Sequence, residues 1–459
     1  MLITHARLAT FGTEPRLISD GALLIEGGRI AALGTTADLA TRFADVDRWD
    51  AAGQLVLPAS ICAHTHFYGA FSRGMAIPGA PPETFPQILQ RFWWRLDRAL
   101  TLEDVRYSAL VCLVDAVRHG TTTLVDHHAS PNAIHGSLDV IAEAVQEAGL
   151  RASLCYEVTD RDGPDRAQAG IEENVRFAKK AAADPQLAAS FGLHASLTLS
   201  DETLADCVAA ATSGAQSATS PASGRAGEGT RQPPRFHVHV AEGICDQHDS
   251  LRKSGKRVVH RLGDAGILGP GTIAVHCVHV DDGEIERLAQ TGTWVTHQPR
   301  SNMNNAVGVA PVEAMLNKGV NVGLGNDGFS NQMFAEMKAA CFVHKLHQGD
   351  PQAMPGNLVM DLAYGNNARL AQIFWPDQRL GELSAGAMAD LVFVDYRPTT
   401  PLSADNLPWH ILFGVEASMI TSTVCAGNVL MRDRQLLTLD EEAITARSRE
   451  LAAGLWARL

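Results

Sequence analysis

Eight short β-rich segments recur along the middle of the chain, and helix-like stretches separate them. The segments are 59–66, 121–128, 151–159, 187–195, 235–242, 272–280, 293–297 and 321–327. One intervening stretch, 102–119, has apolar residues at helical spacing and a glycine after its end. Eight strands that alternate with helices predict an α/β fold, a TIM-type (β/α)8 barrel. An open doubly wound sheet usually has a glycine-rich phosphate turn after an early strand, and none follows the early segments here.

The two ends of the chain differ from this middle part, because turns instead of helices separate their short strands. Residues 1–58 include GALLIEGGRIAALG, which is typical of a hairpin with a Gly-Gly turn, and 381–435 contain ADLVFVDY and STVCAGNVLMRD. We expect the two ends to form one small β-sandwich domain, with the barrel of residues 59–380 inserted between them. Residues 381–459 then hold the second part of this domain and a charged carboxy-terminal helix over 439–459.

The net charge disfavours a nucleic-acid partner. The 459 residues include 38 Lys and Arg against 51 Asp and Glu, a net charge of −13, and the sequence has no basic stripe. No apolar run reaches the roughly 18–20 residues of a membrane helix, and MLITHARLATFG lacks the long apolar core of a signal peptide. The eight cysteines form no C-x-x-C pair, which favours buried reduced thiols. We therefore expect a cytoplasmic protein that binds neither nucleic acid nor a membrane.

One segment, 211–234, has low complexity. Its sequence, ATSGAQSATSPASGRAGEGTRQPP, is dominated by Ser, Gly, Ala and Pro and cannot form a packed core. It lies just before a β-rich segment, where a barrel tolerates a surface insertion. We expect a flexible loop and assign it no function.

A pair of histidines ends the first barrel segment. His64 and His66 are two residues apart, so in a strand both side chains point to the same side and can face one metal. Two neighbouring histidines are common in proteins without any such role. This pair, however, lies at the carboxyl end of a strand, which is where barrels of this type carry their active sites.

Other strand ends carry residues of the same chemical kind. The fourth, fifth, sixth and eighth segments add His194, His237, His239, Glu242, His276 and Asp327. We interpret His237 as a packed strand histidine. Glu242 is costly to bury unpaired, so its position beside a metal site indicates a proton carrier. The recurrence of such residues at five of the eight strand ends predicts one shared site.

Three imidazoles and one carboxylate suit a borderline divalent metal, and the candidates are His64, His66, His239 and Asp327. Zinc is the expected metal and iron the alternative. We expect one metal per subunit, because a second usually needs a bridging carboxylate or modified lysine near the fourth strand, which contains no lysine. The metal lowers the pKa of a bound water towards ~7. Asp327 can then accept a proton, Glu242 can deliver one, and His276 can hold or polarise the attacking hydroxide.

These residues, in this order on a barrel, resemble the amidohydrolase superfamily. The surrounding motifs LPASICAHTHFYGAFSRG, GTTTLVDHH, HVHVAE, AVHCVHV, THQPRSNMNNAVG and GLGNDG are similar to those of the cytosine deaminase, triazine hydrolase and guanine deaminase branch. Within that branch, FYGAFSRG, WWRLDRAL and VDHHASP look most like the SsnA-type aminohydrolases. The resemblance covers essentially the whole chain except the 211–234 insertion.

The resemblance implies His64, His66, His239 and Asp327 as metal ligands. It also implies Glu242, His276 and Asp327 as the catalytic residues that handle protons. Deaminases of this branch attack a cyclic amidine carbon with metal-activated hydroxide and expel ammonia, whereas some relatives expel chloride or an alkylamine.

Candidates for substrate binding are His194, Arg73, His128 and Arg161. His194 resembles a substrate-contacting histidine of the nucleoside and purine deaminases. Arg73 follows the first strand and could contact substrate or pair with a surface carboxylate, and of the adjacent His127 and His128 only one can face a pocket. Glu157 and Arg161 flank the end of the third strand and could read a polar substituent or form an ordinary ion pair.

Two further groups of residues give weaker indications of substrate binding. Trp93 and Trp94 have helical spacing with their apolar neighbours, which favours packing over ligand contact. Gln298, Asn302 and Asn304 follow the seventh strand and could bind substrate or cap a helix.

The sequence therefore predicts a metal-dependent aminohydrolase of a small cyclic amidine, such as a purine, pterin, pyrimidine or triazine. We therefore expect a hydrolase of carbon–nitrogen bonds other than peptide bonds, in cyclic amidines. The alternative is a cyclic-amide or chloro-heterocycle hydrolase with the same mononuclear metal site. A catalytically silent scaffold is disfavoured by the complete set of ligands and proton carriers. A homo-oligomer is expected, as is common for such enzymes.

Overall fold

The computed structural model describes residues 1–76, 79–215 and 234–459, with only the backbone of residues 214 and 215. Most of the predicted 211–234 loop, namely 216–233, lies outside the described residues. The strands are β1 Leu2–Ala9, β2 Leu17–Glu26, β3 Arg29–Thr35, β4 Arg48–Asp50, β5 Leu55–Pro58, β6 Ser60–Thr65, β7 Thr121–Asp126, β8 Arg151–Leu154, β9 Leu187–Ala189, β10 Phe191–Ala195, β11 Phe236–Val240, β12 Ile273–His276, β13 Trp294–His297, β14 Val322–Leu324, β15 Leu391–Val394, β16 Ile420–Cys425, β17 Asn428–Arg432 and β18 Gln435–Leu436.

Helices separate the strands of the middle part, and three more lie in the two ends of the chain, where the sequence predicts only turns and a carboxy-terminal helix. They are α1 Thr36–Arg42, α2 Phe85–Ile88, α3 Trp94–Ala99, α4 Leu102–Arg118, α5 Ser137–Ala148, α6 Pro164–Ala181, α7 Asp201–Ala215, α8 Ile244–Ser254, α9 Val258–Asp264, α10 Asp282–Thr291, α11 Pro299–Asn304, α12 Val312–Asn317, α13 Met333–Gln348, α14 Gly356–Met360, α15 Asn367–Phe374, α16 Leu407–Gly414 and α17 Glu441–Trp456. Short 3₁₀ segments lie at Phe67–Ser72, Ser196–Thr198 and Ala417–Met419, and π-helical turns at Leu89–Trp93 and Asp361–Asn366.

The predicted helix over 102–119 is α4, and its start follows from the local sequence. Thr101 accepts a hydrogen bond from the backbone of Asp104, and the Asp104 carboxylate accepts one from the backbone of Thr101. This capping box satisfies two backbone donors that a helix start otherwise leaves without partners. The apolar face of α4 packs into the main hydrophobic core of the protein.

The eight predicted barrel segments form two parallel sheets that together make a ring. One sheet has the order β6-β7-β8-β9 and the other β10-β11-β12-β13-β14. The fourth segment is divided at Ser190 into β9 and β10, so one half pairs with each sheet.

Backbone hydrogen bonds join the sheets at both seams. At one seam, the Val158 amide donates to Gly192 at 3.1 Å, and the His194 amide donates to Val158 at 2.9 Å. At the other, the Asn326 amide donates to the carbonyl of His64 at 2.9 Å. The predicted TIM-type barrel is confirmed.

Several barrel strands end earlier than the sequence predicts, and left-handed backbone occurs at or shortly after their ends. Ala241 follows β11 with a φ of 47°, Cys277 follows β12 with 50°, and Asp327 lies beyond β14 with 58°. Non-glycine residues adopt this conformation at a cost of about 1–3 kcal/mol, and it occurs preferentially at functional sites. Gly325 lets β14 approach β6, since a Cβ at this position would lie 2.7 Å from the backbone nitrogen of His64.

Strands from both ends of the chain join in one nine-stranded sheet with the order β18-β17-β16-β15-β5-β1-β2-β3, in which β4 pairs with β1. The two ends therefore build a common β structure, as predicted. All nine strands belong to one hydrogen-bonded sheet, because β5 pairs with β1 on one side and with β15 on the other. The predicted sandwich would instead have two separate sheets. The rings of Trp49 and Phe393, one from each end, stack at 4.4 Å in the core of this part.

In the described parts of the chain, every helix is too short or too polar to cross a membrane. All eight cysteines are free thiols, and seven of them are buried, as the sequence predicts.

Candidate active site

A pocket opens at the carboxyl ends of the barrel strands. Its walls come from the barrel strand ends together with the segment that precedes α4. The lining residues are His66, Tyr68, Phe85, Leu89, Trp93, Trp94, Asp97, Glu157, His194, Ala195, Leu197, His239, Glu242, Gly243, Asp246, Asn305 and Asp327. Six strand ends thus meet in one place, as the barrel geometry requires.

The four predicted metal ligands converge at the bottom of this pocket. Oδ1 of Asp327 lies 3.1 Å from Nε2 of His64 and 3.0 Å from Nε2 of His66. Nε2 of His66 lies 3.2 Å from Nε2 of His239. All three histidines are buried. Ligand atoms that bind zinc at about 2.0–2.1 Å in a tetrahedron lie roughly 3.4 Å apart, which is close to these separations.

The outer nitrogens of two of these histidines fix their tautomers. Nδ1 of His66 donates to the carbonyl of His127 at 2.6 Å, and Nδ1 of His239 donates to the carbonyl of His194 at 2.8 Å. In the neutral form, each Nε2 therefore carries a lone pair, and the two lone pairs face one another. A cation between them gives both a partner, so the donor set fits a divalent metal.

His64 and its neighbours complete the donor set. Nδ1 of His64 lies 2.9 Å from Nε2 of His237, which is fully buried beneath it. The packed role predicted for His237 agrees with this position. Possible ligand atoms of His64, His239, His276 and Asp327 all lie within 4.8 Å of one another, as do those of His66, His127 and His239.

Glu242 and His276 lie beside the ligands. Nε2 of His276 is 3.4 Å from Oε2 of Glu242 and 4.0 Å from Oδ2 of Asp327. Nδ1 of His276 is 2.8 Å from Oδ1 of Asn302, and an amide oxygen accepts, so Nδ1 is the donor. Its Nε2 therefore points towards Glu242 and Asp327.

The segment that contains α11 holds the two carboxylates. Ser301 donates a hydrogen bond to Oδ2 of Asp327. Nδ2 of Asn305 donates to Oε1 of Glu242 at 3.1 Å and lies 3.4 Å from Oγ of Ser301. With Asn302 on His276, three residues of this segment thus orient the three predicted proton-handling groups.

A second cluster of buried charges lies on the wall formed by α3 and the third and fourth strands. Arg161 pairs with Asp97, and its Nη2 is 3.4 Å from Oε1 of Glu157. The other oxygen of Glu157 is 3.4 Å from Nδ1 of His127, and Oε1 lies 3.9 Å from Nε2 of His194. We call Asp97, Glu157 and Arg161 the acidic wall.

Burial and charge shift the pKa values of these carboxyl groups in different directions. Burial raises the pKa of Glu242, against the lowering effect of His276. Burial also raises the pKa of Asp97 to about 7, although Arg161 opposes it. Burial acts in the same sense on Glu157, but His194, His127 and Arg161 hold its pKa well below the ordinary value. Shifts of this kind are typical of active sites.

The four predicted substrate-binding residues do not all reach the pocket. His194 lines the pocket, and Arg161 lies behind Asp97 and Glu157. His128 is fully buried, with Nε2 2.8 Å from Oγ of Ser130, and does not reach the described pocket lining. Arg73 is exposed and also lies outside that lining.

Sequence reasoning missed several pocket residues. Trp93 and Trp94 line the pocket instead of only packing, because the π-helical turn Leu89–Trp93 brings this segment over the strand ends. Asp97, on the same segment, carried no sequence signal of its own. Asn305 directly follows Asn304, which is a candidate from the sequence for substrate binding or helix capping.

A family model described as the amidohydrolase family matches residues 55–430, and a short match to a bacterial imidazolonepropionase-like composite domain covers 21–45. The chain is 31% identical over 466 residues to a 5′-deoxyadenosine deaminase of Methanosarcina mazei, covering 100% of this chain and 99% of that protein. It is 35% identical over 416 residues to a 5-methylthioadenosine/S-adenosylhomocysteine deaminase of Haloarcula marismortui, covering 89% and 88%.

Solved structures share the fold across the whole chain. An adenosine deaminase from Xanthomonas campestris with bound zinc superposes with a TM-score of 0.83 at 24% identity, covering 99% of this chain and 98% of that one. Guanine deaminase from E. coli superposes with a TM-score of 0.79 at 20% identity, covering 94% and 99%. With the family match over most of its length and the converging histidines and carboxylates, this chain belongs to the amidohydrolase family.

Proposed function

We propose that this protein is a metal-dependent aminohydrolase that replaces the exocyclic amino group of a cyclic amidine with oxygen and releases ammonia. The observation that carries the proposal is the convergence of His64, His66, His239 and Asp327 next to Glu242 and His276. Two relatives at 31% and 35% identity are named as deaminases of adenosine-type nucleosides, which supports the same reaction class here.

Zinc is the metal we propose, held by His64, His66, His239 and Asp327. Three imidazoles and one carboxylate match its ligand preference, and the X. campestris adenosine deaminase of this fold has bound zinc. When bound, such a metal acidifies a water molecule so that hydroxide is available near neutral pH.

The protein's own side chains then move the protons. Asp327, held at Oδ2 by Ser301, accepts the proton of the attacking water. Glu242, whose pKa burial raises, donates a proton to the ring nitrogen beside the reacting carbon. Nε2 of His276 accepts a hydrogen bond from the attacking hydroxyl and orients it. The C–O bond forms, and the proton taken up by Asp327 passes to the amino group. The C–N bond then breaks and ammonia leaves, while Glu242 recovers its proton from the new hydroxyl group, which becomes the ring carbonyl.

The substrate proposed is a small planar heterocycle with an amidine edge. Trp93, Trp94 and Tyr68 provide aromatic surface in the pocket for such a ring. Because two relatives act on adenosine-type nucleosides by name, 5′-deoxyadenosine and 5′-methylthioadenosine are the first substrates to test.

The test is ammonia release by the zinc-loaded protein, with metal-free protein as the control. The panel contains 5′-deoxyadenosine, 5′-methylthioadenosine, adenosine, guanine, 8-oxoguanine, isoxanthopterin, cytosine and aminotriazines. Ammonia from any ring, dependent on metal, supports the proposal. Ring opening or chloride release without ammonia would support a cyclic-amide or chloro-heterocycle hydrolase instead.

A further inference from the structure

The pocket is lined by carboxylates and by no lysine or arginine among the residues that the structure describes. Asp97, Glu157, Glu242, Asp246 and Asp327 all contribute to its surface. Two of them, Glu242 and Asp327, belong to the proposed reaction. The other three are buried and have no part in it. They must therefore be explained by something other than the proton transfers.

Arg161 lies near this surface and pairs with two of its carboxylates. Its Nη2 contacts Asp97 and Glu157, and its Nε lies 3.4 Å from Oδ2 of Asp162. Its guanidinium also lies 5.4 Å from the centre of the Trp94 ring. Asp162 also pairs with Arg98 at 2.6 Å, so within the acidic wall two carboxylates, Asp97 and Glu157, face the single guanidinium of Arg161.

The acidic wall has an acceptor without a partner. Asp97 is 1% exposed, and its Oδ1 has no hydrogen-bond partner within the described residues, while its Oδ2 pairs with Arg161. A buried acceptor without a donor costs about 1–3 kcal/mol. Because Asp97 lines the pocket, a donor group on a bound molecule can remove this cost.

We propose, resting on the proposed aminohydrolase function, that the acidic wall selects substrates by charge. The favoured substrates are neutral or cationic heterocycles whose substituent donates hydrogen bonds to Asp97 and Glu157. Substrates whose substituent is anionic are excluded, because the buried wall holds two carboxylates against one guanidinium and repels the charge.

The selection is tested with three adenosine derivatives that differ in charge at the 5′ position. 5′-Deoxyadenosine is neutral, 5′-amino-5′-deoxyadenosine is cationic, and adenosine-5′-carboxylate is anionic. We expect kcat/KM for the anionic compound to be lower than for the neutral one by about tenfold or more. The cationic compound should react at least as well as the neutral one.

The variant Glu157→Gln removes one charge from the wall and keeps the side-chain shape. It should raise kcat/KM for the anionic compound and lower it for the cationic one, which narrows the difference between them. Glu14→Gln removes the same charge from an exposed position. It should leave the ratio of the kcat/KM values for the cationic and anionic compounds unchanged. Activity of the variant on the neutral compound reports that it is folded.

Binding separates failure of this inference from failure of the proposed function. Calorimetric Kd values for the three compounds give the charge preference even where no turnover occurs. If ammonia is released but the anionic compound reacts and binds as well as the neutral one, charge selection is wrong and the aminohydrolase function stands. If the Kd values show the expected order but no ring in the panel releases ammonia, the proposed function fails and the wall's selectivity remains.

Discussion

Asn305 donates a hydrogen bond from Nδ2 to Oε1 of Glu242 at 3.1 Å. The same amide nitrogen lies 3.4 Å from Oγ of Ser301, which donates to Asp327. One side chain therefore connects the two carboxylates to which we assign proton transfer. Neither carboxylate can rotate without breaking a hydrogen bond, so the positions of both proton carriers depend on the α11 segment.

Replacing Asn305 should slow catalysis without removing the metal. In Asn305→Ala, Glu242 loses a donor and can rotate away from the reacting nitrogen. Misplacement of a catalytic group by about 1 Å can cost ~10²-fold, so we expect kcat to fall by about 10–100-fold. Steady-state kinetics and metal analysis give the two readouts, with Asn357→Ala as the exposed control. An unchanged kcat would show that the Asn305 amide does not position Glu242.

Asp327→Asn should nearly abolish turnover and weaken metal retention. Asparagine keeps the shape but removes the negative charge that lies 3.0–3.1 Å from two histidine nitrogens. Elemental analysis of the dialysed protein measures the metal, and an ammonia assay measures turnover. Ser301→Ala is the informative comparison, because it removes only the hydrogen bond to Asp327 and should keep the metal. Normal activity in Asp327→Asn would rule out the proposed site.

Glu242→Gln should separate proton transfer from metal binding. The side chain lies next to the ligands, so the variant should retain its metal. General acid–base catalysis contributes typically 10²–10⁴-fold, and we expect kcat to fall by about this factor. If this variant turns over normally while holding its metal, another group delivers the proton.

The sequence predicted the convergence of the proposed metal ligands better than the residues that orient them. His64 and His66 share a face of a strand by simple alternation, so their convergence follows from the fold. Ser301 and Asn305 lie in and after a short helix, where no periodicity says which polar side chain turns inward. The ion pair considered for Glu157 and Arg161 exists, but its third member, Asp97, comes from a distant segment.

The limits of the barrel strands were also harder to predict than the fold itself. The alternation of strands and helices predicted the barrel, but not that the strands before Ala241 and Asp327 end early. Left-handed backbone at alanine has no signal in the residue type, and aspartate, although enriched in this region, mostly adopts other conformations. It is imposed by the contacts at the barrel end, such as the hydrogen bond from the Asp327 amide to the His64 carbonyl at 3.2 Å.

The buried ion pair between Arg151 and Asp390 should contribute strongly to stability. Nη1 of Arg151 on β8 donates to Oδ2 of Asp390 at 2.7 Å, and both side chains are almost fully buried. Asp390→Ala leaves the guanidinium buried and unpaired, which typically costs about 3–5 kcal/mol. Chemical denaturation should therefore show a clearly lower midpoint for this variant.

The control for that experiment is an exposed ion pair. Asp395 and Arg397 lie 3.3 Å apart with much of both side chains in solvent. Asp395→Ala should change the free energy of unfolding by less than about 1 kcal/mol, since exposed pairs are screened by water. Equal effects of the two substitutions would contradict the role given to the buried pair.

The position of β5 between β1 and β15 has a consequence for biosynthesis. As the chain leaves the ribosome, β1 and β5 emerge long before β15, which follows the entire barrel. One edge of β5 therefore waits without its partner while the barrel is made, and open strand edges promote association between nascent chains. This edge of the sheet is closed only when residues 391–394 have been made and pair with β5.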